Sequence, residues 1–131
     1  MKTGWITHEQ DGDSKDMGGR VVHWIQTPES TGGKYSSVCT CVYDPDARAK
    51  PAHSHPNGEE SVYVISGTGK VKIGDEIAEI KPGSTFLFPQ GVPHMVWNNG
   101  SEPLHIVCFY APVPEAISYD FHEDFDFPEF Q

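Results

Sequence analysis

His53 and His55 are separated by one residue. In an extended segment side chains repeat every two residues, so both imidazoles lie on one face. Pro56-Asn57-Gly58 then turns the chain back, and Glu60 opens the next apolar run. His94 follows the tight loop Pro89-Gln90-Gly91-Val92-Pro93. Three imidazoles and one carboxylate are donors for one borderline divalent transition-metal ion. Imidazole suits iron, nickel, copper and zinc, and the carboxylate keeps manganese in play. Four protein donors leave positions open on a six-coordinate ion for substrate, water or O₂. A lone His-x-His is as often a surface pair as a ligand pair, so the reading depends on the longer pattern.

That pattern is His53-x-His55-x4-Glu60-x6-Gly67, followed after 15 residues by Gly83-x5-Pro89-x-Gly91-x2-His94-x3-Asn98. The first half resembles the first motif of the cupin superfamily, and the second resembles the second motif at every defined position. One place departs: where the first motif opens with Gly, six residues before the first His, this chain has Ala47. Asp46 is the residue expected to make that turn instead. The resemblance implies an all-β, single-domain, cupin-type double-stranded β-helix (jelly-roll) barrel. It also implies His53, His55, Glu60 and His94 as metal ligands, and iron, manganese, nickel or zinc as the ion. Glu59 also meets the looser spacing. Glu60 is preferred because it keeps six residues before Gly67 and shares parity with Val62 and Val64 on the expected inner face; it is also the candidate catalytic base.

The remaining chemistry-bearing residues have plainer readings. Cys39 and Cys41 could hold a soft metal, but no matching Cys or His pair stands near them, so they read as small buried hydrophobes. His105 and Cys108 fall on opposite faces of the last strand, so at most one faces the cavity. His23 is a candidate for proton transfer or for plain packing. Tyr43, Phe86, Phe88, Trp97 and Tyr110 are candidates for the core or for a pocket lining. His8 and His122 lie in the flanks and are assigned no role. Gly67, Gly83 and Gly91 fall where tight turns need positive φ. Asn98 is expected to bond turn backbone.

These residues need strands to carry them. Alternation and turn chemistry predict strands over residues 20–26, 35–43, 60–66, 70–73, 76–80, 84–88, 94–98 and 104–110, with a short edge strand near Trp5-Ile6. Nine strands at short spacing mark a sandwich or barrel. Residues 1–19 read as an N-terminal arm, 20–112 as the barrel, and 113–131 as an acidic, aromatic tail. Within the tail, 113–119 could form a helical turn, and 120–130 alternates Phe with acids. Four Phe residues make the tail too apolar to stay solvated, so it is expected to pack on the barrel or on a partner subunit.

Composition agrees. Val (11) and Ile (8) far outnumber Leu (2) and Ala (6), and the chain holds 13 Gly and 11 Pro. β-branched residues favour pleated surfaces, and the scarcity of strong helix formers excludes a helix bundle. A length of 131 residues fits one domain that needs no disulfide framework. The net charge of −10 argues against nucleic-acid and anionic-membrane partners. Lys81 is the last basic residue, and seven acids follow it. Three cysteines, with no apolar run at the N-terminus, read as reduced thiols in a cytoplasm.

Cupins include dioxygenases, decarboxylases, lyases, isomerases and binding modules, so fold does not settle function. The donor set resembles that of cupin dioxygenases with three His and one Glu. It implies an O₂-dependent oxidoreductase acting on a small molecule, neutral or aromatic because basic charge is scarce. A non-redox isomerase, lyase or decarboxylase and a non-catalytic binding module are the alternatives. Sheet edges and apolar extensions point to a homodimer.

Overall fold

The computed structural model describes residues 4–112 and 119–131. Its strands are β1 (Asp13–Asp16), β2 (Arg20–Gln26), β3 (Ser37–Tyr43), β4 (Ala52–Ser54), β5 (Glu59–Ser66), β6 (Gly69–Ile73), β7 (Glu76–Ile80), β8 (Thr85–Phe88), β9 (His94–Trp97), β10 (Leu104–Ala111) and β11 (Asp120–His122). They form two antiparallel sheets, one in the order β1-β2-β3-β10-β5-β8 and the other β11-β4-β9-β6-β7. This is the jelly roll expected from the sequence.

The alternation of side chains explains why the sheets face each other. In β5, Glu60, Val62 and Val64 are buried while Glu59, Ser61, Tyr63 and Ile65 are exposed. Across the ladder, Cys108 lies opposite both Val62 and Cys39, and Trp24 lies opposite Cys39. One set of faces therefore turns inward along β2, β3, β10 and β5. Each fully buried Val, Leu or Ile there contributes roughly 1.5–3 kcal/mol through removal from water.

Turn chemistry matches the expected punctuation. Gly67, Gly83 and Gly91 have φ of +84°, +91° and +77°. Asp46, standing beside the Ala47 departure, has φ +67°. Asp tolerates this left-handed conformation because its short side chain bonds locally. Asn98 is fully buried; its Nδ2 donates to the Tyr43, Asp44 and Glu102 carbonyls, and its Oδ1 accepts from the Gly100 amide. It thus ties two loops to the end of β9.

The N-terminal arm differs from expectation. Trp5 and Ile6 form no strand and are exposed. Pairing begins at Asp13, opposite Trp24, just after Gly12. A side chain at Gly12 would collide with the Trp24 carbonyl, so glycine lets the arm close onto β2 there. Between β2 and β3 the predicted turn holds one helical turn, α1 (Pro28–Thr31). Thr27 and Ser30 cap it reciprocally. The expected helical turn at 113–119 lies outside the described residues except for Tyr119.

The described tail packs on its own barrel. β11 pairs with β4. Beyond it Phe127 is fully buried, and Arg48 donates to Asp126 through Nε (3.0 Å) and Nη2 (2.9 Å). Among the described residues no helix is long and apolar enough to cross a membrane.

Candidate metal centre

The four donors reach one point from both sheets. β4 and β9 are neighbours, and His53 pairs directly with His94. His55 lies just past the end of β4, on the same parity as His53. Glu60 comes from the opposite sheet, at the inward-facing start of β5. The ligating nitrogens of His53, His55 and His94 lie within 4.8 Å of one another. The Glu60 Oε1 is 3.1 Å from His55 Nε2 and 3.9 Å from His94 Nε2. All four residues are buried, whereas Glu59 is exposed.

His94 is held with care. The Phe88 ring stacks on it at 3.7 Å between centroids and 6° between planes. Its Nδ1 lies 3.1 Å from the Val92 carbonyl, which can only accept, so Nδ1 carries the proton. The lone pair is therefore on Nε2, which is buried and has no hydrogen-bond partner. A buried polar atom without a partner is costly. A cation between the imidazoles and Glu60 removes that cost, so the donor set fits a metal ion.

Electrostatics favour the same state. Burial pushes the His53 pKa down to about 2, with help from His94 and His55. Burial likewise pushes His94 down to about 4, against the pull of the Glu60 carboxylate. Both rings are neutral near pH 7, the form that ligates a metal.

His53, Glu60 and His94 line a cavity of about 30 Å³ whose other walls include Arg20, Tyr110 and Tyr119. Tyr119 lies 4.9 Å from the His53 ring and 5.1 Å from His55. Burial, then the Glu60 charge, raises the Tyr119 hydroxyl to about 12, so it keeps its proton. Arg20 sits opposite Tyr43 in the β2–β3 register, on the inward face with Val22 and Trp24.

Several sequence expectations are corrected by these positions. Arg20 faces the cavity, so the small number of basic residues does not make the site neutral. Its parity with Val22 and Trp24 was a readable signal. Trp97 faces outward onto Phe127 and Phe130, at 5.4 and 4.9 Å, because its position in β9 has outward parity. Phe86 packs against Phe88 in the core, while Tyr43, Phe88 and Tyr110 do line the cavity. His23 turns outward, 2.7 Å from Ser14 Oγ, on the opposite face of β2 from Arg20, Val22 and Trp24. His122 has a role after all: its Nε2 lies 2.8 Å from Ser54 Oγ, bracing the strand between His53 and His55. Cys108, not His105, faces inward.

The chain matches the cupin domain family over residues 39–110. A relative from Methanocaldococcus jannaschii, the uncharacterized protein MJ1618, is 37% identical over 94 residues, 72% of this chain and 74% of that protein. Among solved structures, the Lactobacillus farciminis oxalate decarboxylase superposes with a TM-score of 0.76 at 21% identity, over 87% of this chain. This chain spans only 34% of the decarboxylase. The polyketide cyclase RemF from Streptomyces resistomycificus superposes with a TM-score of 0.72 at 16% identity, over 92% of this chain and 85% of that one. At these identities the two structures share the fold alone.

Proposed function

The chain belongs to the cupin family, and on that premise we propose a metal-dependent enzyme that uses O₂ to oxidise a small molecule bearing an acidic or enolisable oxygen. One observation carries this reading: three imidazoles from one sheet and a carboxylate from the other converge beside a cavity that Arg20 also lines. His53, His55, Glu60 and His94 would hold the ion. When bound, it supplies electrons to O₂ if redox-active, or Lewis acidity if not, with positions left open beyond the four protein donors.

The chain's own residues do the rest. Arg20 supplies a fixed positive charge and planar donors for a carboxylate or enolate oxygen. Glu60 accepts a proton as the substrate oxygen is deprotonated. Tyr119 keeps its proton and can donate a hydrogen bond to the developing charge. The cavity at the donors is small, about 30 Å³, and Arg20 in its lining favours an acidic group on the substrate there.

A non-redox reading, decarboxylation or cyclisation, is favoured by the same Arg20. It also agrees with the names of the two solved structures, an oxalate decarboxylase and a polyketide cyclase. The test is turnover of a panel of small keto and carboxylic acids by protein loaded with iron, manganese, nickel or zinc. The oxidative reading expects turnover to stop without O₂ and both oxygen atoms to enter product. Turnover unchanged without O₂ moves the assignment to the non-redox class. His53→Ala or His94→Ala should abolish metal retention; a full equivalent held at unchanged affinity refutes the site. Glu60→Gln should weaken retention more than Glu59→Gln.

A further inference from the structure

The barrel interior holds a second group of donors that the His and Glu centre does not use. Cys39 and Cys41 occupy alternate inward positions of β3, and Cys108 lies directly opposite Cys39 on β10. The three sulfurs lie within 4.8 Å of one another, all are buried, and none is in a disulfide. Two of these thiols came together through the period of a strand, and the third through pairing of strands about 70 residues apart.

Three thiols packed this closely are more than three small hydrophobes. An ion about 2.3 Å from each of three coplanar sulfurs holds those sulfurs about 4 Å apart. The observed cluster therefore needs only sub-ångström adjustment to enclose one. We propose that Cys39, Cys41 and Cys108 form a three-sulfur site for a soft, thiophilic d¹⁰ cation, with copper(I) as its best fit.

Ligand type and number select the ion. Thiolates favour copper(I) and zinc over hard cations. Zinc in structural sites takes four donors, and among the described residues this cluster offers three. Copper(I) is satisfied by three sulfurs in a plane. Binding replaces thiol protons, which leave to solvent, so no oxidant or reductant is consumed. Without a cation, the neighbouring sulfurs and burial keep Cys39 and Cys108 protonated, so it is the bound ion that displaces their protons. Arg20 supplies a positive charge that offsets the thiolates, and no cation accepts it as a ligand. Cys41 and Cys108 line the same cavity as His53, Glu60 and His94, so the sulfurs border the metal centre.

The test is anaerobic titration of the metal-free full chain with copper(I), in competition with a chromogenic copper(I) chelator. The site predicts one tightly held equivalent with sulfur-to-copper charge-transfer absorption in the near ultraviolet. That absorption should persist in the His53→Ala/His94→Ala variant. Cys108→Ser should lower affinity by about 100-fold, the upper end of losses seen even for groups behind the ligands. Absence of uptake, or uptake without the sulfur absorption, overturns the proposal. So does loss of the absorption in the histidine variant. X-ray absorption at the copper edge needs no substitution and covers the case in which Cys108→Ser fails to fold. Three sulfur neighbours support the site, and a shell of nitrogen and oxygen refutes it.

Discussion

The outer faces of the two sheets meet different surroundings. On the five-stranded sheet, Lys70, Lys72, Met95 and Trp97 share the outward face by register. The tail lies over them. Phe127 and Phe130 pack on Trp97, Lys72 Nζ donates to the Asp126 carbonyl, and Lys70 meets Glu129 at 2.9 Å. Met95 and Phe127 are wholly buried as a result. On the six-stranded sheet, Tyr63, Ile65, Leu87 and Phe109 point outward and remain 44–45% exposed, beside the edge strand β8. Among the described residues the N-terminal arm reaches this same outer face only at its far end, over β2 and β3, where Glu9 accepts from Thr40 Oγ1 at 2.6 Å. Outward apolar residues are thus core on one sheet and free surface on the other. Their own strands do not decide which; the segment that lies over them does. An uncovered apolar patch beside an unpaired edge is the usual mark of an association surface.

The largest effect expected on this contrast is at Phe127. Phe127→Ala should cost about 3–5 kcal/mol of stability, the usual loss for a fully buried aromatic. Phe109→Ala should cost the isolated monomer no more than about 1 kcal/mol, any further loss belonging to association of that face. Denaturant midpoints at concentrations low enough for a monomer measure both, and equal losses there would mean that the chain covers its own six-stranded face too.

The second effect is on assembly. We expect a homodimer that buries Tyr63, Ile65, Leu87 and Phe109. Phe127 of the tail is already buried on its own barrel, whereas Phe121 stays 62% exposed. Light scattering should give a dimeric mass for the full chain and a monomeric mass for Leu87→Asp/Phe109→Asp. A wild-type monomer at micromolar concentration refutes the dimer, and a double variant that stays dimeric moves the interface elsewhere.

A smaller effect belongs to the clamp that holds the tail. Burial would raise the Asp126 carboxyl, but hydrogen bonds from Arg48 and the Phe127 amide outweigh burial and hold it below its ordinary 3.8. A carboxyl whose folded pKa is depressed stabilises above its unfolded value and loses that contribution as pH falls through the folded value. Thermal melts should therefore show the wild type losing this increment below about pH 4. Asp126→Asn should lack it at every pH. Near neutrality its cost should be about 1.5–3 kcal/mol, as for hydrogen bonds to a charged group. A wild type and variant that differ equally at pH 3 and pH 7 would remove the carboxylate from the tail's anchorage.

The smallest effect is at the solvent-exposed Lys70–Glu129 pair. Exposed pairs are screened and entropically costly. Glu129→Gln should leave the denaturation midpoint within experimental scatter, and a clear loss would mean that this end of the tail is more tightly held than its exposure implies.

The donors were readable in the chain because strand geometry is local. A period of two places His53 with His55, and Glu60 with Val62 and Val64, and no distant contact can change that parity without breaking the strand. The turn at Asp46 and the backbone-bonding role of Asn98 were legible for a similar reason. Each answers in part a requirement of the nearest few residues, a left-handed conformation in one case and the Gly100 amide and Glu102 carbonyl in the other, although Asn98 also bonds the distant Tyr43 and Asp44 carbonyls. Even Arg20 carried a legible parity, which a count of basic residues obscured.

Other features depend on which strands meet, and no local period encodes that. Cys108 joins Cys39 and Cys41 only because β10 pairs with β3 in one register out of several possible. Tyr119 stands over the imidazoles because β11 adds to the edge at β4, and His122 reaches Ser54 through the same pairing. The acidic, Phe-rich tail could have covered either sheet or a neighbouring subunit. Arg48, Lys70 and Lys72 give one outer face the charges that its carboxylates require, and Trp97 gives it the apolar ground for Phe127. Charge and apolar area on a distant surface had to be assembled before the tail had a place to bind.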